Sequence, residues 1–173
     1  MIVSLSFGKR MAYSAPAFAL AVVGIPVYVY IPKFYTDVVG VHIGVIGYIL
    51  LVVRLFDAFT DPALGYMSDR SRSRFGRRRP YVALGSVLLA VSLYLLFNPY
   101  PGSRTFDTLW FATCIFSLFL FWTAVVVPFE SLGPELTFDY HERTTLFSIR
   151  DGAMLAGTLA AASAPVLVGR ILG

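Results

Sequence analysis

The chain has 173 residues, of which 57% are hydrophobic and 14% are charged, and its net charge is +4. Globular chains carry about 25% charged residues, so this apolar excess is too large for one soluble core. It argues against a soluble enzyme, a disordered tail and a disulfide-stapled secreted domain, and the single Cys114 cannot form an internal disulfide. The composition therefore predicts a membrane protein, with the lipid bilayer as a partner.

Five apolar stretches follow one another along the chain. A membrane helix needs about 20 mainly apolar residues, and the predicted spans are residues 11–35, 42–67, 81–97, 108–129 and 145–172. Segments rich in Gly, Pro and charged residues separate them, including residues 98–102 and 133–143. The first stretch is longer than the apolar core of a signal peptide, so we expect it to be retained. The predicted fold class is an all-α polytopic membrane protein.

Basic residues are concentrated between the second and third spans. Six arginines lie there within ten positions: Arg70, Arg72, Arg74, Arg77, Arg78 and Arg79. Over the termini and loops, nine Lys and Arg residues lie on the side of the N-terminus and three on the other side. This asymmetry predicts a cytoplasmic N-terminus in a bacterial inner membrane. An RNA-binding patch is the alternative, but the position between two spans favours a cytoplasmic loop and no nucleic-acid partner.

Charged residues also fall inside the predicted spans. Arg54, Asp57 and Asp61 lie in the second span, and Arg150 and Asp151 lie in the fifth. Each charge costs about 2.5–3.5 kcal/mol at the centre of a bilayer. We therefore expect these side chains to face the protein interior and to pair with one another.

The second span carries a pattern that favours cation binding. Arg54, Asp57 and Asp61 recur at helical spacing on one face, and two carboxylates beside Thr60 offer oxygens to a small hard cation or share a proton. Calcium prefers about 6–8 oxygens, so the expected ion is monovalent. A buried ion-pair network that merely fixes helix packing is the alternative. An aspartyl hydrolase is disfavoured, because its carboxylates face each other across a cleft, and no enzymatic activity is expected.

The loop after the second span carries another charge pattern. Asp69 lies at the C-terminal end of a helix, where the helix dipole disfavours an anion, so we expect it to rely on cations nearby. The run Arg77–Arg79 can supply them, and Gly76 allows a tight turn. The loop is interpreted either as a topology signal alone or as a latch of ion pairs that breaks when the bundle moves.

Two further patterns concern packing. Tyr28, Tyr30, Phe34 and Tyr35 are predicted to form an interfacial aromatic belt, with stacking on a sugar ring as the alternative. A stripe of small residues in the fifth span predicts close helix packing. The stripe consists of Gly157, Ala160, Ala161 and Ala164.

The motifs together resemble one family of membrane carriers. Residues 34–40 read FYTDVVG, residues 54–65 read RLFDAFTDPALG, and residues 68–80 read SDRSRSRFGRRRP. They are similar to the glycoside–pentoside–hexuronide:cation symporters (melibiose permease-like) of the major facilitator superfamily. The resemblance covers about residues 7–150. It implies twelve helices in two six-helix halves, of which residues 1–173 would be a partial N-terminal transmembrane domain, with helix six and the C-terminal half absent.

The resemblance also implies roles for individual residues. Asp57 and Asp61 correspond to the ligands of the coupling cation, and Thr60 and Thr123 to further positions of that site. A charge network is expected at Arg54, Arg150, Asp151 and Lys9. The cytoplasmic gating loop is expected to comprise Gly65, Asp69, Arg70, Gly76, Arg77, Arg78 and Arg79.

The function expected from these patterns is secondary active transport. The solute is expected to be a sugar or a glycoside, moved with Na⁺ or H⁺ by alternating access, and no cofactor is expected besides that ion. The positions of the family's galactoside ligands hold Arg10, Val126 and Glu130 here, so the residues that bind the solute are unknown. The alternatives are a carrier of a lipid or another non-sugar solute, and a membrane scaffold that does not transport.

Overall fold

The computed structural model describes residues 6–71, 74, 76–100 and 102–172, and the side chains at 167–169, 171 and 172 are left out of the description. Arg72, one of the predicted loop arginines, lies outside the described residues. Within the described ranges the chain is helical and contains no strand, which confirms the all-α prediction. The helices are α1 (Phe7–Val39), α2 (Ile43–Arg70), α3 (Arg79–Phe97), α4 (Arg104–Leu136) and α5 (Tyr140–Leu172).

Among the described residues, α1, α2, α3 and α4 are long and apolar enough to cross a membrane. They cover the first four predicted spans, except that α2 begins one residue later, with His42 as its N-cap. Helix α5 is long enough but is not one of these four, so its crossing of the membrane stays a prediction.

The boundary between α4 and α5 differs from the sequence prediction. Residues 133–143 were expected to interrupt the helices. Instead, α4 continues to Leu136 and α5 begins at Tyr140. The reason is local capping: Asp139 Oδ1 accepts a hydrogen bond from the backbone N–H of Glu142 at 2.9 Å, which satisfies one of the free donors at the start of α5.

Helix α1 is irregular in its second half, from Pro26 onward. It is α-helical over Phe7–Ile25 and Ile31–Phe34, and π-helical turns occupy Pro26–Tyr30 and Tyr35–Val39. A proline lacks the N–H of a regular helical bond, and π turns often accommodate such interruptions. Gly40, with φ of +84°, ends the helix in the left-handed conformation that glycine adopts without strain.

The described chain forms two compact units. The first combines Met1–Tyr30 with Gly133–Gly173, and the second is Ile31–Leu132. In the first unit, α5 packs closely on α1 at Gly157, where a Cβ atom would lie 2.5 Å from the carbonyl oxygen of Phe18 and 3.0 Å from Cβ of Ala21. Ala161 is buried as well. The predicted packing stripe is therefore present at these two positions, whereas Ala160 and Ala164 are exposed.

The second unit has its core between the end of α1, α3 and α4. Tyr35 is fully buried, its hydroxyl donates a hydrogen bond to the carbonyl oxygen of Leu96 at 3.0 Å, and its ring centroid lies 4.7 Å from that of Phe111. The prediction of an interfacial belt is thus wrong for Tyr35. Its hydroxyl instead satisfies a carbonyl in the last turn of α3, where helical partners are missing.

Gly157→Ala should destabilise the chain by about 1–3 kcal/mol, because the added methyl group meets a backbone carbonyl that cannot move aside freely. Gly152→Ala is the matched control, since a Cβ atom at Gly152 of the same helix meets nothing within 4 Å. Thermal unfolding in detergent measures the difference. Equal melting temperatures for the two variants would contradict the close packing of α1 and α5.

Tyr35→Phe should cost about 1 kcal/mol, since it removes a buried hydrogen bond and leaves the Leu96 carbonyl without that donor. Tyr94→Phe is the control, because Tyr94 belongs to α3 and is 67% exposed. The same unfolding assay compares them, and a neutral Tyr35→Phe would show that the hydroxyl contributes nothing to the core.

Candidate functional site

The predicted cation-site residues of α2 and α4 meet in the second unit. The Thr123 hydroxyl of α4 donates a hydrogen bond to Asp61 Oδ1 of α2 at 2.9 Å. Thr123 is buried, whereas Asp61 is exposed. The pair brings together two of the four residues that the resemblance assigned to the site. A hydroxyl that donates to a carboxylate keeps its own lone pairs as acceptors.

Asp57 contributes an oxygen without a hydrogen-bond partner. The residue is 9% exposed, and its Oδ2 accepts a long contact of 3.4 Å from Arg54 Nη1. Its Oδ1 is buried and has no hydrogen-bond partner among the described residues. Buried polar atoms are nearly always satisfied, so an unpaired carboxylate oxygen beside a second carboxylate is suited to ligate a cation.

The Thr60 hydroxyl forms its hydrogen bonds within α2. It donates to the backbone carbonyl oxygens of Phe56 and Asp57 at 3.3 and 3.4 Å, within its own helix. Serine and threonine in helices commonly form such bonds to the preceding turn. The structure therefore joins Thr123, but not Thr60, to a carboxylate of the site by a hydrogen bond.

Phe119 of α4 belongs to this cluster and was missed from the sequence. Its ring is 2% exposed, and the guanidinium carbon of Arg54 lies 4.8 Å from the ring centroid, within the range of a cation–π interaction. A signal was present in the sequence, because Phe119 precedes Thr123 by four residues and so shares its helical face. The 52% exposed Arg54 side chain thus contacts both a carboxylate and an aromatic ring.

The remaining residues of the predicted charge network lie in the first unit. Arg150 pairs with its neighbour Asp151, with Nη2 to Oδ1 at 2.8 Å, and its guanidinium lies 4.8 Å from the Phe147 ring centroid. Lys9 is exposed. The adjacent Arg10 forms the ion pair that links α1 to α5, at 3.0 Å from Glu142 Oε1. Two ion pairs, Arg10–Glu142 and Arg150–Asp151, are therefore present in this unit.

The loop between α2 and α3 holds the ion pair that the helix dipole predicted. Both Nε and Nη2 of Arg78 donate to Asp69 Oδ1, the former at 3.1 Å. Arg78 is 8% exposed, so the middle arginine of the run carries the interaction. Gly76 has φ of +100°, a conformation that glycine adopts without strain and that suits the predicted tight turn.

Other predicted loop residues have local roles. Arg70 stacks on the Tyr66 ring of its own helix, with 4.5 Å from guanidinium to centroid. Gly65 faces α4, and a Cβ atom there would be in ordinary contact with Val127 at 3.5 Å. Arg77 and Arg79 are exposed.

An apolar cavity of about 470 Å³ lies between α3 and α4 in the same unit. Leu95, Leu109 and Phe121 are among its lining residues. The hydroxyls of Ser92 and Ser117, which also line it, donate to carbonyl oxygens of their own helices. The cavity contains none of the predicted cation-site residues.

The sequence of the chain also matches known proteins. Residues 12–173 match the MFS/sugar transport protein family. The isoprimeverose transporter of Lactiplantibacillus pentosus is 33% identical over 89% of this chain and 33% of its own length. The inner membrane symporter YicJ of Escherichia coli is 32% identical over 88% of this chain and 33% of its own length.

A third relative is the uncharacterized symporter sll1374 of Synechocystis, which is 32% identical over 90% of this chain and 30% of its own length. The chain thus spans about a third of the length of these relatives. The family resemblance inferred from the motifs is confirmed. With its apolar helices and this match over nearly the whole sequence, the chain is a multi-pass membrane protein that belongs to the MFS/sugar transport protein family.

Proposed function

We propose that this chain forms part of a cation-coupled symporter that carries a sugar-like solute across the inner membrane of a bacterium, with its N-terminus in the cytoplasm. The observation that carries the proposal is the cluster of Asp57, Asp61 and Thr123. One carboxylate oxygen of this cluster is buried without a hydrogen-bond partner among the described residues, and the other carboxylate accepts a bond from Thr123. A static packing device has no need of an unpaired acceptor at this position.

The charge of the cluster supports a monovalent ion. Two carboxylates and one guanidinium sum to −1, so one Na⁺ or one proton neutralises the cluster. Unbalanced charge is costly inside a membrane protein. Because Na⁺ and H⁺ would bind to the same carboxylate oxygens, they are expected to compete for the site.

The nature of the solute is supported by the relatives. One of them is named as a transporter of isoprimeverose, which supports a sugar-like solute, and another as an inner membrane symporter, which supports coupled transport. Solute binding in the major facilitator superfamily occurs near the bilayer midplane, between two halves of the protein. The solute site of this protein would accordingly need residues beyond those described here.

The loop between α2 and α3 is proposed to control the conformational change. Asp69 at the end of α2 and Arg78 just before α3 form a charged pair away from Asp57 and Asp61. A rocking movement of helices can break and re-form such a pair. Its strength would then influence the rate of the cycle and not the affinity for the ion.

Asp57→Asn and Asp61→Asn, each made in a full-length protein that carries this sequence, should abolish accumulation of solute driven by a Na⁺ or pH gradient. Each substitution removes the negative charge that a bound cation neutralises. Uptake of a labelled glycoside into membrane vesicles, with and without each gradient, measures the effect. Asp107→Asn in the first turn of α4 is the control and should leave accumulation near the wild-type level.

Gradient-driven accumulation by both α2 variants would overturn the coupling role. The carboxylates would then serve helix packing, as in a membrane scaffold. Gradient-driven accumulation of a lipid or another non-sugar solute in place of glycosides would keep the coupling role and overturn the sugar-like solute.

Asp69→Asn should slow transport by about tenfold, corresponding to about 1.4 kcal/mol in the barrier, while the affinity for the coupling ion stays within about twofold. The reason is that the substitution weakens the Arg78 pair without touching the cation cluster. Initial uptake rates and calorimetric titration with NaCl provide the two readouts. Arg79→Gln, which changes an exposed charge at the first residue of α3, is the control. Equal losses of rate and ion affinity would contradict a gating role.

A further inference from the structure

Arg54 contacts both a carboxylate and an aromatic ring. Its Nη1 is 3.4 Å from Asp57 Oδ2, and its guanidinium carbon is 4.8 Å from the centroid of Phe119. Arginine and a carboxylate in direct contact usually approach to about 2.7–2.9 Å and often form two parallel bonds. The Arg54–Asp57 contact is longer than this and involves one carboxylate oxygen, although the residues are spaced to meet on one helical face.

The Phe119 ring offers a reason for the long contact. A guanidinium over an aromatic face is attracted by the negative face of the ring, and arginine stacks on such faces more readily than lysine does. Because Phe119 is 2% exposed and held in α4, its position does not adapt to Arg54. The attraction of the ring therefore competes with the attraction of the carboxylate.

We propose that Phe119 is a positioning residue that holds Arg54 back from Asp57 and thereby keeps the carboxylate available to the coupling cation. This inference rests on the proposed cation site. In this arrangement Arg54 supplies a nearby positive charge without occupying the ligand oxygen, and Asp57 Oδ1 keeps its free lone pairs. Without the ring, the guanidinium moves toward Asp57 and becomes an internal competitor of the ion.

The test substitutes Phe119 and a matched ring in a full-length protein carrying this sequence. Phe119→Leu and Phe119→Met both remove the aromatic face. Because the Met side chain is flexible, it fills more of the space left by the ring, so a cavity is less able to prevent folding. Phe116→Leu is the control, because Phe116 belongs to the same helix but stacks on Phe56, with centroids 4.4 Å apart. Cation binding to the purified protein is measured by calorimetric titration with NaCl and, in Na⁺-free buffer, by proton uptake on acidification.

We expect both Phe119 variants to bind the ion that the wild type binds about tenfold more weakly, whereas Phe116→Leu binds it like the wild type. In an Arg54→Gln background, Phe119→Leu should change the affinity by less than about twofold, since no guanidinium remains to be held. A double-mutant cycle of this kind isolates the coupling between the two residues.

Two outcomes would overturn the inference while leaving the cation site intact. One is unchanged affinity in both Phe119 variants, and the other is an equal loss in the presence and absence of Arg54, which would indicate a packing role. A wild-type protein that binds neither Na⁺ nor a proton at Asp57 and Asp61 would instead overturn the proposed function, and the inference with it.

Discussion

The charge balance of α2 is the constraint on which the proposed site depends. Two aspartates and one arginine lie in a helix that is otherwise apolar enough to cross a membrane, where an isolated charge costs about 2.5–3.5 kcal/mol. Their mutual attraction offsets part of that cost but leaves one negative charge. The contacts from α4 reflect this, because Thr123 donates to one carboxylate and Phe119 faces the guanidinium. Side chains of α4 thus contact the charged groups of α2 and form part of the cluster.

Charge balance also matters at the C-terminal end of α2, where Asp69 and Arg78 form an ion pair. Asp69 occupies the negative pole of the helix, and Arg78 is folded back onto it and almost completely buried. A buried arginine is tolerated when a carboxylate lies in contact with it. In the cation cluster Asp57 accepts one long contact from Arg54, whereas here Arg78 donates two hydrogen bonds to Asp69. The first arrangement suits a site that exchanges an ion, and the second suits a contact that holds a conformation.

The features that depend on local spacing or on recognisable motifs could be predicted from the sequence. The five helices, the pairing of Asp69 with a following arginine, and the tight turn at Gly76 follow from helical length, the helix dipole and glycine chemistry. The meeting of Asp61 with Thr123 followed from the family resemblance. Features set by tertiary packing were missed. The burial of Tyr35 depends on Leu96 and Phe111. The spacing of Phe119 from Thr123 indicates a shared helical face, but the position of Phe119 over Arg54 depends on how α4 faces α2.

The π-helical turn at Pro26–Tyr30 has a consequence for comparing this helix with others. An α-helix advances about 100° per residue, and a π turn adds about one residue to the local repeat. A uniform helical wheel with steps of about 100° therefore does not describe Pro26–Tyr30. A homologue with a regular α-helix in this segment would need one residue fewer, so its alignment to this chain would require a one-residue gap inside a continuous helix.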